Sequence, residues 1–151
     1  SLRREVQAVY TSQIGVREAT GRNDGPQVEA YLQSTKMKRG APWCAAFVTW
    51  CFNQVGVRNA QSAWSPAWFP KANTIWRNST GGMTPTTGDV FGIYYPNLQR
   101  IGHVGFVDKW SGNWVITVEG NTNDALSREG DGVYKKRRNI RQVHSVSRWI
   151  N

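Results

Sequence analysis

The apolar pattern of the chain changes period at Gly88, and that switch restricts the folds open to it. Before it, Leu2, Val6, Val9, Tyr10 and Ile14 recur about every 3.6 residues, which predicts an amphipathic helix closed by Gly15. Pro26 opens a second helix with Val28, Tyr31 and Leu32 on one side, followed by a basic linker from Lys36 to Gly40. Cys44, Phe47, Val48, Cys51, Phe52 and Val55 then form one stripe of a third helix stopped by Gly56. Ala60 to Gly82 is aromatic without being periodic and reads as loops around one short helix. After Gly88 come short runs rich in β-branched and aromatic residues: Asp89 to Tyr95, His103 to Trp110, Trp114 to Glu119, Val133 to Arg138 and Val146 to Ile150. Helices first and about five strands later predict an α+β domain, with helices packed on an antiparallel sheet, and not alternating βαβ units.

The 151 residues fit a single domain that needs no metal or disulfide to build its core. No apolar segment approaches the ~20 residues of a membrane span. The start Ser1-Leu2-Arg3-Arg4 lacks a signal peptide's apolar stretch, so the expectation is a soluble domain whose export signal was removed or never existed. A formal net charge of +9 predicts attraction to a polyanion, and charge alone does not choose among nucleic acid, anionic membrane and anionic wall polymer.

Cys44 and Cys51 lie on one predicted helix with Cα atoms about 10.5 Å apart by helical rise. That is too far for a disulfide, so both should be free thiols. Two cysteines and two scattered histidines form no zinc pattern, and no metal or cofactor is expected. Cys44 follows Pro42-Trp43 at a helix start, where unpartnered N–H groups and the macrodipole favour a thiolate, the nucleophilic form. Cys51, two turns further in, reads as a small core residue.

A thiolate nucleophile needs a base, and the base an orienter. His103 begins a strand between Gly102 and Gly105, whereas His144 sits beside basic residues and reads as surface. A three-residue turn, Ser111-Gly112-Asn113, would pair Trp110 with Trp114 and bring position 103 opposite 121 and 105 opposite 119. His103, Glu119 and Asn121 would then share a face, with Glu119 or Asn121 accepting the imidazole N–H; a one-residue slip would separate them. Asp89 reads as a strand-entry residue.

Four ordered stretches, Pro42-Trp43-Cys44-Ala45-Ala46-Phe47-Val48, Thr87-Gly88-Asp89-Val90-Phe91, Gly102-His103-Val104-Gly105-Phe106-Val107 and Val118-Glu119-Gly120-Asn121, resemble the CHAP family, the cysteine, histidine-dependent amidohydrolases/peptidases. The resemblance implies a papain-like α+β fold and cleavage of amide bonds in peptidoglycan. It implies Cys44 as nucleophile, His103 as base, Glu119 as its orienter and Asn121 as a further polar residue of the site. Some bacteriophage members carry acidic calcium ligands before the cysteine; here that region is Lys36-Met37-Lys38-Arg39, so no calcium site is expected. The implied partner is the peptide stem of peptidoglycan, met at the bacterial wall by a monomer, extracellular or periplasmic, with no nucleic acid partner. An antibacterial effector would also imply a dedicated inhibitor protein, for which the sequence offers no sign.

Trp43, Trp64 and Trp68 are candidates for lining a groove for glycan or peptide, while Trp50 and Trp149 read as core. Lys135-Lys136-Arg137-Arg138, with Arg141, reads as a solvated strand face. The rival reading is a non-catalytic wall- or nucleic-acid-binding module using these cations and exposed aromatics, which predicts no unusual thiol.

Overall fold

The computed structural model describes residues 1–122 and 130–151. Three helices come first, α1 (Leu2–Ser12), α2 (Pro26–Ser34) and α3 (Cys44–Gln54), and then a 3-10 turn at Ser65–Trp68. The strands are β1 (Thr74–Arg77), β2 (Gly81–Gly82), β3 (Val90–Tyr95), β4 (Arg100–Ser111), β5 (Trp114–Thr122), β6 (Gly132–Asn139) and β7 (Ser145–Ser147). They form one antiparallel sheet in the order β2-β1-β7-β3-β4-β5-β6.

The α+β class and the order of elements are those expected, but the sheet has seven strands and not about five. The additional two, β1 and β2, fall in the stretch read as loops. They are four and two residues long, and a register shift between Thr74 and Trp76 interrupts β1, so neither runs far enough to display a period of two.

Local chemistry sets the helix starts. Ser1 Oγ accepts from the Arg4 N–H at 3.3 Å, and Pro26 occupies the first turn of α2, where a missing N–H costs nothing. Glu29 reaches back to accept from the Gly25 N–H at 2.8 Å, occupying a donor at the helix start. α3 is buried nearly all round, including Ala45, Ala46 and Thr49, because α2 and the sheet enclose it. Phe106 of β4 fixes its seat, with ring centroids 4.6 Å from Tyr10 of α1 and 5.3 Å from Phe52 of α3. This aromatic packing binds the strand that carries His103 to the helix that begins at Cys44. Phe91, Val107, Val115, Val143 and Val146 form a second, smaller core cluster with Trp76 and Trp110. Among the described residues no helix is long and apolar enough to cross a membrane.

Candidate active site

α3 begins at Cys44, with Trp43 as its N-cap. Cys44 and His103 are only 7% and 6% exposed, each shifts the other's titration, and both reach a cleft of about 550 Å³ lined also by Asn23, Pro42, Tyr95 and Asn121. His103 Nε2 lies 2.7 Å from Oε1 of Glu119, which leaves Nδ1 as the ring nitrogen for Cys44. Gly105 makes room for this pairing: a Cβ there would stand 2.9 Å from Glu119 Cγ. Gly120 does the same for the helix start, since a Cβ would meet Phe47 at 2.7 Å and Trp43 at 2.9 Å.

The electrostatics follow from these contacts. Burial pushes the Cys44 thiol up, but the hydrogen bond and charge of His103, with help from Ser65, bring it down to about 7. Burial alone would lower His103, whereas its hydrogen bonds to Cys44 and Glu119 and the charges of both raise it to about 9. Burial would likewise raise Glu119, and Arg138 and His103 together hold it well below the ordinary carboxylate range. With cysteine below histidine, the thiolate–imidazolium pair is the favoured state between about 7 and 9.

Of the two candidate orienters, Glu119 bonds His103. With its amide oriented to satisfy both ends, Asn121 makes two other bonds, its oxygen accepting from the Trp43 N–H at 3.2 Å and its nitrogen donating to the Gly130 carbonyl at 3.3 Å. Asn121 adopts a left-handed φ of 55°, which asparagine tolerates better than most residues. It ties the N-cap of α3 to the end of β5 while lining the cleft.

Two of the three groove tryptophans are corrected. Trp43 is fully buried, stacked on Tyr31, with its Nε1 donating to Glu18 at 2.8 Å. Trp68 is fully buried against Phe52 and Trp149, with Nε1 on the Ser62 carbonyl. Each satisfies its single N–H inside the core, so neither faces the groove. Trp64 remains, 59% exposed beside Ser65. Cys51 is buried and both thiols are free. His144 is exposed, stacked on Tyr94 and bonded to Ser145.

Sequence reasoning missed two neighbours. Ser65 Oγ lies 3.6 Å from Cys44 Sγ, brought there by the 3-10 turn. Arg138, read as solvated, turns inward: Nε donates to Glu119 Oε2 at 2.6 Å and a terminal nitrogen to Oε1 at 2.7 Å. Alternation along β6 was the available signal, because positions 136 and 138 face opposite to 135 and 137. Asp89 is a fully buried strand-entry residue paired with Arg3 and Arg148.

A helix bearing a cysteine, packed on an antiparallel sheet bearing a histidine, defines the papain-like class of cysteine, histidine-dependent amidohydrolases and peptidases. The family model described as CHAP domain matches residues 36–121, more than half of the chain, and the chain belongs to the CHAP family. CHAP is a papain-like family of cysteine, histidine-dependent amidohydrolases and peptidases, a family associated with hydrolysis of peptidoglycan at the cell wall. Among solved structures, "The crystal structure of Ly7917" aligns with a TM-score of 0.55 at 14% identity, over 97% of this chain. At that identity the likeness shows the fold, and the chain spans 62% of the length of that structure's chain. Comparison with curated proteins gave no match.

Proposed function

We propose that residues 1–151 form one catalytic domain that hydrolyses an amide bond of peptidoglycan, as an N-acetylmuramoyl-L-alanine amidase or a stem or cross-bridge endopeptidase, with Cys44 as nucleophile. The observation that carries this reading is the placing of Cys44 and His103 together in one cleft, each shifting the other's titration, with His103 hydrogen-bonded to the buried Glu119. The Cys44 thiolate attacks the carbonyl carbon, and the oxyanion that forms is met by the Cys44 N–H at the start of α3. The His103 imidazolium gives its proton to the leaving amine, the C–N bond breaks, and a thioester remains. Water attacks the thioester while His103 takes its proton, which releases the acid and restores the thiolate. Glu119 holds the ring in the productive orientation, and Asn121 holds the helix start. Trp64, exposed and next in sequence to Ser65, contacts the glycan or stem. The enzyme acts as a monomer at the bacterial wall, outside the cytoplasmic membrane, without metal or cofactor.

The test is mass spectrometry of digested sacculi, which identifies the bond cut. Cys44→Ala should abolish product formation while binding to sacculi persists; cleavage unchanged in that variant would sink the reading. For the active protein, kcat/KM should rise through about pH 7 as Cys44 ionises and fall through about pH 9 as His103 loses its proton.

A further inference from the structure

Arg138 lies beyond the part of the chain that the family model matches and belongs to none of the ordered motifs, yet it makes two hydrogen bonds to Glu119. The guanidinium grips both carboxylate oxygens, a paired geometry that a strand-face cation held in solvent has no reason to adopt. Thr117 Oγ1 and His103 Nε2 occupy the remaining acceptor positions. The Glu119 side chain has no exposed surface and that of Arg138 is only 15% exposed, so the ion pair stands in a region where an uncompensated charge is disfavoured.

The consequence concerns the charge of the whole buried group. The reactive state requires an anion at Cys44 and a cation at His103, above an anion at Glu119. Among the described residues the titratable and charged groups facing these three are one another and Arg138, with Tyr95 acting on Arg138. With Arg138 present, two anions stand against two cations. Without it, forming the thiolate would leave a surplus negative charge under nearly dry side chains, and the favoured state would keep Cys44 as a thiol beside the His103–Glu119 pair.

We propose that Arg138 is a positioning residue that sets the charge state of the site: by engaging both oxygens of Glu119 it makes the Cys44 thiolate and His103 imidazolium electrically neutral as a group. The proposal rests on the reading of Cys44 as nucleophile. Its test is the pH dependence of Cys44 alkylation by iodoacetamide, read by peptide mass spectrometry beside circular dichroism of each protein. Wild type should show a midpoint near the Cys44 value of about 7. In Arg138→Gln the midpoint should move up by about one unit or more, with about fivefold or more lower reactivity and kcat/KM at pH 7 and a nearly unchanged KM. Arg138→Lys keeps the charge with poorer geometry and should recover most of the shift. The double variant Arg138→Gln/Glu119→Gln removes one charge of each sign, so its midpoint should return to within about half a unit of wild type.

A merely structural arginine would alter stability and leave these midpoints alone. A folded Arg138→Gln protein with the wild-type midpoint overturns the role of Arg138. Should that variant not fold, a double-variant midpoint raised by a unit or more does the same. A wild-type midpoint at the ordinary thiol value of about 8.5 overturns the assignment of Cys44 itself, and the role of Arg138 with it.

Discussion

Asp89 and Glu119 are both carboxylates with no exposed side-chain surface, and both are held by arginine, yet they serve opposite ends. Asp89 accepts from Arg3 at 3.1 Å, from Arg148 at 2.8 Å and from the Thr86 N–H at 2.9 Å. Arg3 also bonds the carbonyls of Thr87 and Ile150, so the site ties the first helix and the end of the chain to the entry of β3. Every partner of Asp89 in this cluster keeps its proton. Glu119 has one arginine, and where a second would stand it has His103, which opens to the cleft and can pass its proton on. On the proposed reading, the difference between a staple and a residue that positions a catalytic histidine is one neighbour: a cation that cannot release its proton locks the fold, and one that can is available for chemistry.

The largest effect that separates the two is on turnover. Glu119→Gln should reduce kcat/KM by about 10²- to 10⁴-fold, because the ring loses its charged acceptor and the tautomer is no longer fixed. Asp89→Asn should stay within about threefold of wild type when assayed below its unfolding temperature. It should lose about 2–4 kcal/mol of stability, since two arginines that remain partly buried lose their anion. For a chain of this size that lowers Tm by about 5–15 °C. Muropeptide release and thermal unfolding of the two variants check the pair of outcomes, and an Asp89→Asn protein that is stable but inactive would break the comparison.

The comparison also bears on what the sequence discloses. Cys44, His103 and Glu119 were legible because each sits at a position fixed by a period: the start of a helical stripe, or one face of a two-residue alternation. The register that joined them came out right by compensation. The loop between β4 and β5 is Gly112-Asn113 alone, with Ser111 opposite Trp114, one residue out of step with the three-residue loop expected. An irregularity at Asp108 then restores the pairing of Phe106 with Val118 that brings Glu119 to His103. That extra residue has its own cause, since its carboxylate accepts from Gln7 and Tyr10 of α1. Arg138 was hidden for a different reason. In a run of four cations only alternation separates it from Arg137, whose guanidinium lies 4.2 Å over the exposed Trp114 ring. The tryptophans misled because the same residue fills a core or lines a groove, and Trp43 and Trp68 have their N–H partners inside.

Acid unfolding sharpens the contrast at intermediate scale. Folding lowers the Glu119 carboxyl below its ordinary value of 4.5, through Arg138 and His103 acting against burial. The native state thus binds fewer protons than the unfolded chain in this range. Its contribution to stability is fully present above 4.5 and is lost as pH falls from there through the depressed folded value. Urea unfolding of wild type and Glu119→Gln from about pH 6 down to about pH 2.5, which spans the onset of that loss, should give curves that converge as pH falls. Asp89→Asn should keep the Glu119 part of the wild-type slope. Parallel curves for wild type and Glu119→Gln would mean that Glu119 is not held ionised by its partners.

The smallest expected effect tests how finely the Glu119 carboxylate is held. Thr117 Oγ1 donates to Oε2, the oxygen that also receives Arg138 Nε, and the hydroxyl is fully buried. Thr117→Val removes that donor with little change in shape, and Arg138 still occupies the same oxygen, so the carboxylate keeps its charge and its orientation toward His103. Stability should fall by about 1.5–3 kcal/mol, the range for losing one hydrogen bond to a charged group. Turnover should fall only about threefold, with both limbs of the pH–rate profile in place, because the Glu119–His103 contact is untouched. The corresponding donor to Asp89 is a backbone N–H that no side-chain substitution can remove, which suits a site whose task is to hold. A Thr117→Val protein whose pH–rate profile moves by a unit or more would show that the hydroxyl, and not Arg138 alone, sets the charge of the carboxylate beneath His103.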